Sequence, residues 1–137
     1  SLLMVKILGN EKKITEALEV IDNALLSNPK KLSLHQLKIK ILTKQGKKEI
    51  VKGIYQDLIP KFPEQQMLYY NLAKIHLLDK EEQQAEKILK QLVLQLPEEN
   101  QPKVVWIDFL NANEGKEKAE IEVEKLIKEN PDNYNLP

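Results

Sequence analysis

Four evenly spaced prolines restrict the fold of this chain more than any other feature. Pro29, Pro63, Pro97 and Pro131 follow one another at intervals of 34 residues. A proline inside a helix removes a backbone donor and clashes with the preceding turn, at a cost of about 3 kcal/mol. Just beyond a helix end, a proline instead stops the helix from continuing. The spacing therefore predicts an internal repeat of 34 residues with a helix ending before each proline.

Apolar residues recur at fixed distances before these prolines, so every repeat has the same expected buried face. Three columns lie in the second helix of each repeat, and two lie in the first. The column of mostly small residues allows the two helices to approach closely. The column of mostly small residues in the second helix is Ala17, Val51, Ala85 and Ala119. The other two second-helix columns are Ile21, Tyr55, Leu89 and Val123, and Ala24, Leu58, Leu92 and Leu126. The first-helix columns are Val5, Ile39, Ala73 and Ile107, and Leu8, Leu42, His76 and Leu110.

Turn-forming residues divide each repeat into two helices. We expect Gly46 and Gly115 in such turns, and Asp79 as an N-cap that forms a capping box with Glu82. Pro102 is expected in the first turn of its helix, where proline is tolerated. The predicted helices span residues 2–8, 13–26, 32–44, 48–60, 66–78, 82–95, 101–113 and 116–129.

The third repeat, MLYYNLAKIHLLDKEEQQAEKILKQLVLQLP, carries Tyr69, Leu72, Ala73, Ala85, Leu92 and Pro97 at its key positions. In these residues the chain resembles the tetratricopeptide repeat (TPR) family, and the resemblance covers essentially its whole length. It implies an all-α fold, a TPR-type α-solenoid of antiparallel helix pairs wound into a right-handed superhelix. A single domain of four repeats is expected, at about 1–31, 32–65, 66–99 and 100–133. The last two repeats also resemble those of long bacterial envelope TPR proteins.

Both ends of the sequence look cut, because an apolar helical pattern opens it and the next helix is due where it stops. We therefore expect a segment of a longer protein. Terminal repeats of a solenoid usually need a polar outer face. Leu2, Leu3 and Ile7 have no visible cover, which leaves a homodimer through the terminal repeats as an alternative.

The charge composition argues against nucleic acid as the partner. All 21 basic residues are lysine, and 21 acidic residues balance them to zero net charge. Nucleic-acid-binding proteins usually carry a basic excess, and arginine is their preferred reader of phosphates and bases. The apolar runs are far shorter than the roughly 20 residues that cross a bilayer, so this segment is not expected to insert into a membrane. The absence of cysteine fits the cytoplasm or the periplasm equally.

The sequence contains no recognisable catalytic or metal-binding arrangement. His35 and His76 lie 41 residues apart without carboxylates at ligand spacing; His35 is expected to be exposed and His76 packed. Clusters such as KEEQQAEK alternate carboxylates with lysines at helical spacing, which favours a solvated face with i,i+4 pairs over acid–base catalysis. Trp106, within VVWIDFL, is expected in the core. We therefore predict a protein that is not an enzyme and uses no cofactor or metal.

The resemblance to TPR proteins implies that the first helix of each repeat lines a concave, partner-binding face. Lys6, Lys40, Lys74 and Asp108 form one column of that face, and its lysines would suit acidic groups of an extended peptide. The expected function is a noncatalytic interaction module that binds a peptide or helical segment of another protein. The alternative is a structural spacer or self-assembling scaffold in a larger, envelope-associated bacterial protein. The predicted contacts are Lys40, Tyr70, Asn71, Lys74, Leu78 and Asp108. The other residues expected on the same face are Gln36, Leu37, Lys44, Met67, Gln101, Val105 and Ala112.

Overall fold

The computed structural model describes residues 10–129, and this part of the chain is all-α. It contains seven helices and no strand between those two residues. They are α1 (Glu11–Ser27), α2 (Leu32–Lys44), α3 (Lys48–Lys61), α4 (Gln66–Leu78), α5 (Glu82–Gln95), α6 (Asn100–Asn113) and α7 (Lys116–Glu129). The predicted all-α class is confirmed for this part. The helix predicted over residues 2–8, Lys6 and Pro131 lie outside the described residues.

The observed helix bounds agree with the predicted ones to within two residues. The largest difference is at α1, which begins at Glu11 and not at residue 13. The side-chain oxygen of Asn10 accepts hydrogen bonds from the backbone N–H groups of Lys12 and Lys13, at 3.0 and 3.2 Å. This N-cap satisfies donors that would otherwise have no partner at the helix start, and the repeat spacing gives no sign of it.

The repeated prolines lie between helices, as predicted. Pro29, Pro63 and Pro97 each occupy a turn that follows α1, α3 and α5, respectively. At the second of these turns, the hydroxyl of Tyr69 in α4 donates a hydrogen bond to the carbonyl oxygen of Pro63, over 2.9 Å. This bond fixes the turn to the helix that follows it.

The turns between the two helices of the second, third and fourth repeats each contain a residue with positive φ, and two residue types occupy that position. Gly46 and Gly115 have φ values of 73° and 92°, a region that glycine enters without a steric penalty. In the third repeat Lys80 takes this role with φ of 60°. The prediction of Asp79 as an N-cap is wrong for this reason. Asp79 ends α4, and Glu81 precedes α5 without a side-chain capping bond.

The chain divides into two compact units at the boundary between Lys61 and Phe62. We call the part that contains α1–α3 the N-terminal unit and the part that contains α4–α7 the C-terminal unit. In the N-terminal unit α1 packs on α2 and α2 on α3. Its core includes a cluster of Ile14, Ile21 and Ile41, against which Leu18 and Leu25 pack.

The C-terminal unit has a larger continuous core, built from four helices in which each packs on the next along the chain. Ala85, where the two helices of the third repeat are predicted to approach closely, is completely buried and belongs to the same core cluster as Ala73. Trp106 is 1% exposed, so its predicted place in the core is confirmed. The clustered residues are Ala73, Ala85, Leu89, Val93, Trp106, Phe109, Leu110, Ala119 and Leu126.

The two histidines differ in their surroundings. His76 is buried, as predicted, and its Nδ1 lies 3.1 Å from Oε1 of Glu81, the residue before α5. The apolar column thus accepts a histidine because a carboxylate across the turn pairs with it. His35 is half-buried, not exposed as predicted, because its Nε2 lies 2.7 Å from the carbonyl oxygen of Pro29.

Candidate partner-binding groove

A groove of about 800 Å³ runs between α4 and α6 in the C-terminal unit. Side chains on three successive turns of both helices line it, and α5 contributes Leu89 between them. Its base is the surface of the core, because Ala73, Leu89 and Phe109 are almost fully buried. The lining residues are Gln66, Met67, Tyr70, Ala73, Lys74, Leu77, Leu89, Gln101, Val105, Asp108, Phe109 and Asn113.

Helical periodicity explains which side chains of α4 enter the groove. An α-helix turns by about 100° per residue. Relative to Tyr70, the other lining residues of α4 lie within about 60° on either side. Asn71 and Leu78 are about 100° and 80° away, and neither lines the groove. These two predicted contacts are therefore separated from the others by their position around the helix.

The exposed walls of the groove are largely apolar. Met67 is 60% exposed and Tyr70 is half-buried, and Val105 lies on the facing helix. The Tyr70 hydroxyl donates a hydrogen bond to Oε1 of Gln66 at 3.3 Å, and burial raises the pKa of this phenol. The amide of Asn113 donates to the carbonyl oxygen of Phe109 at 2.9 Å. These polar groups bond within their own walls, so the surface presented to a partner is mainly carbon.

Two opposite charges lie on the facing walls. Lys74 belongs to α4 and Asp108 to α6, and both side chains are exposed. An exposed charge pair contributes modestly to affinity but favours one orientation of a charged partner. The groove therefore offers an apolar strip with a cationic edge and an anionic edge.

The structure brings together three of the six predicted contacts, namely Tyr70, Lys74 and Asp108. Lys40 is exposed on α2 in the N-terminal unit, so the predicted lysine row remains a prediction. The lining residues missed from the sequence are Gln66, Ala73, Leu77, Leu89, Phe109 and Asn113. Counting seven residues on from Tyr70 would have found Leu77. The contribution of Leu89 required knowledge of the packing between helices.

A second group of charged side chains joins α5 to the end of α6 and to α7. Burial, a hydrogen bond that the protonated Glu86 carboxyl donates to Glu114, and repulsion from Glu114 raise the pKa of Glu86; Lys118 opposes this shift. Lys118 lies 3.5 Å from Glu114, and the nearly buried Glu122 lies 4.0 Å from Lys90 and 3.6 Å from Lys125. Lysines form ion pairs with most of these carboxylates. The group therefore links the helices by surface ion pairs, as expected of a solvated face.

The stretch of residues 10–129 holds no group of three or more histidine, aspartate or glutamate side chains arranged to bind a metal ion. None of its helices combines the length and the apolar character needed to cross a bilayer.

Comparison with known proteins gives a partial match. No protein-family model matches the chain. A protein of Sinorhizobium fredii (strain NBRC 101917 / NGR234), named "Uncharacterized protein y4yS", is 35% identical over 69 residues. The match covers 50% of this chain and 38% of that protein, so the chain spans well under half of the relative's length.

Proposed function

We propose that this chain is a TPR-type α-solenoid segment that acts as a noncatalytic protein-interaction module. The 34-residue repeat and the packing of each helix of the C-terminal unit on the next support the architecture. The groove between α4 and α6 carries the functional proposal, because the first helices of consecutive repeats form its two walls. Such surfaces are the usual binding faces of repeat proteins.

A peptide or helical segment of another protein is the partner that suits the groove. Its walls run for about 17–18 Å along α4 and α6, as the rise of about 1.5 Å per helical residue gives. Apolar side chains along this length can bury a partner's apolar side chains, at about 25 cal/mol per Å² removed from water. Lys74 and Asp108 then orient the bound segment.

The proposal is tested by selecting binders from a random library of displayed peptides with the 137-residue chain as bait. Met67→Glu places a charge on the apolar wall and should weaken the selected binders by at least about tenfold, as expected when a charge replaces an apolar contact. Leu78→Glu is the matched control, since Leu78 is similarly exposed on the same helix but does not line the groove. A library without binders, or equal losses in both variants, would refute the proposal.

Lys40 is tested in the same assay because it lies in the other unit. If the partner contacts α2 as well as the groove, Lys40→Glu should weaken binding of a partner longer than the groove. Unchanged affinity would remove Lys40 from the interface and leave the groove assignment intact.

A self-assembling scaffold is the second candidate, and the distribution of charge favours it. Residues 10–61 carry eleven lysines and six acidic residues, whereas residues 62–129 carry nine lysines and fourteen acidic residues. Opposite net charges at two parts of one chain favour head-to-tail association. Light scattering should then show a mass that rises with concentration and falls with added salt. A constant monomer mass at all concentrations and low salt would exclude this assembly.

A further inference from the structure

We propose that the occupant of the groove between α4 and α6 is an amphipathic α-helix with an acidic edge toward Lys74 and a basic edge toward Asp108. This inference rests on the proposed function and names the chemistry of the partner. It chooses between the two segments, extended and helical, that the groove length accommodates.

The apolar lining decides against an extended segment. An extended peptide carries backbone N–H and C=O groups without internal partners, and burying such groups unpaired costs free energy. Tyr70 and Gln66 bond to each other, and the Asn113 amide bonds to the backbone of α6. The remaining polar side chains in the lining are Gln101, Lys74 and Asp108, too few for a ladder. A helix satisfies its backbone groups internally and presents only side chains.

The dimensions of the groove also suit a helix. Walls of about 17–18 Å match three turns, or about 12 residues, of an α-helix. Over that length a helix presents apolar residues at i, i+3, i+4 and i+7 along one face. The two walls are themselves helices, so a third helix can pack its ridges between their side chains at the usual axial separation of about 8–10 Å.

The charges fix the orientation and the net charge of the helix. Lys74 on one wall and Asp108 on the other require unlike edges on the two sides of the apolar face. The excess of acidic residues in residues 62–129 favours approach of a positively charged partner. The expected helix therefore carries more basic than acidic residues in total.

The first test uses a displayed library of peptides of about 15 residues, in two halves that are matched in composition apart from one proline. One half has an apolar pattern with helical period, and the other has a central proline that prevents a continuous helix. The inference expects enrichment of the helical half, lost with Met67→Glu and kept with Leu78→Glu. Enrichment of proline-containing peptides would overturn the helix but retain the proposed function. No enrichment in either half would overturn both.

The second test exchanges the charges of the walls. Lys74→Glu and Asp108→Lys should each weaken the selected helix by about two- to fivefold, the range for exposed pairs. The double variant should regain affinity for a peptide with its two charged edges exchanged. Lys87→Glu and Glu117→Lys make the same charge changes at exposed positions outside the groove and serve as controls. Failure of the exchanged peptide to recover affinity would refute the assignment of the two edges.

Discussion

The two compact units of this chain share a repeat but differ in what they offer a partner. Residues 62–129 contain five aromatic side chains, and residues 10–61 contain only Tyr55. The aromatic unit is acidic and has the groove between its two first helices, α4 and α6; the other unit is basic and has one described first helix, α2. The shared repeat therefore sets where the helices lie. The residues that differ at equivalent positions of the repeats decide which unit presents an apolar surface.

Single columns of the repeat show this directly. Trp106 is 34 residues after Leu72, which is 34 after Lys38. Leu72 and Trp106 are buried in the C-terminal unit, but Lys38 pairs with Asp22 across α1 and α2 at 2.7 Å. Likewise, Glu86 occupies the column in which the N-terminal unit has the buried Lys52, paired with Glu49 at 3.2 Å.

The largest expected effect contrasts Trp106 with its counterpart Lys38. Trp106→Ala should lower the free energy of unfolding by about 3–5 kcal/mol, because it leaves a large cavity in the core. Lys38→Ala removes one partly exposed ion pair and should cost about 0.2–1 kcal/mol. Urea unfolding followed by circular dichroism measures both. Similar losses of unfolding free energy for the two variants would show that Trp106 and Lys38 have the same role in their two units.

The next largest effect is expected when Leu42 and His76, which occupy equivalent positions of the repeat, are each replaced by the other residue. Leu42→His should destabilise by about 2–4 kcal/mol, because it removes buried apolar surface and introduces a polar ring into the core of the N-terminal unit. His76→Leu should be close to neutral, since it replaces a polar pair by apolar packing. Thermal unfolding of both variants tests this expectation. A loss at His76→Leu as large as that at Leu42→His would show that the pair with Glu81 contributes more than packing.

A smaller loss is expected where α4 and α5 approach closely. Ala85 is completely buried, so a leucine there has to push α4 and α5 apart, and overpacking of this kind costs about 1–3 kcal/mol. Helix propensity predicts almost no change, because leucine is nearly as favourable as alanine. Gln84→Leu, on the exposed face of the same helix, is the control. Equal urea midpoints for the two variants would contradict the repeat alignment.

The smallest effect concerns Glu86, in the group of charged side chains that joins α5 to the end of α6 and to α7. The pKa of Glu86 is raised in the folded state, chiefly by burial and then by Glu114. Its ionisation therefore opposes folding, and stability falls as the pH rises from the ordinary glutamate pKa through the raised value. Glu86→Gln should stabilise the chain by a few tenths of a kcal/mol at pH 7, since water screens a partly exposed group, and by nothing at pH 3. A gain that is the same at both pH values would contradict this cause.

The sequence predicts the helices well because the repeated apolar columns and prolines are local signals. It predicts Tyr70, Lys74 and Asp108 together because residues at matching positions of neighbouring first helices share a face. Asn71 and Leu78 do not line the groove, because they lie about 80–100° around α4 from Tyr70, and their contact with a partner stays a prediction. The Asp79 cap failed, because Lys80 takes the positive φ of the turn and Glu81, not Asp79, is the residue before α5. Leu89 entered the site through packing between helices, which one helical period cannot show.

Mapping a bound peptide onto the backbone amides by NMR tests the central claim most directly. The 137-residue chain is titrated with the tightest peptide from the library selection. We expect the largest chemical-shift changes along α4 and α6, at Tyr70, Lys74 and Asp108, with smaller changes along α7 and across the N-terminal unit. Largest changes on α7 or in the N-terminal unit, with α4 and α6 unaffected, would contradict the assignment of this groove as the partner-binding site.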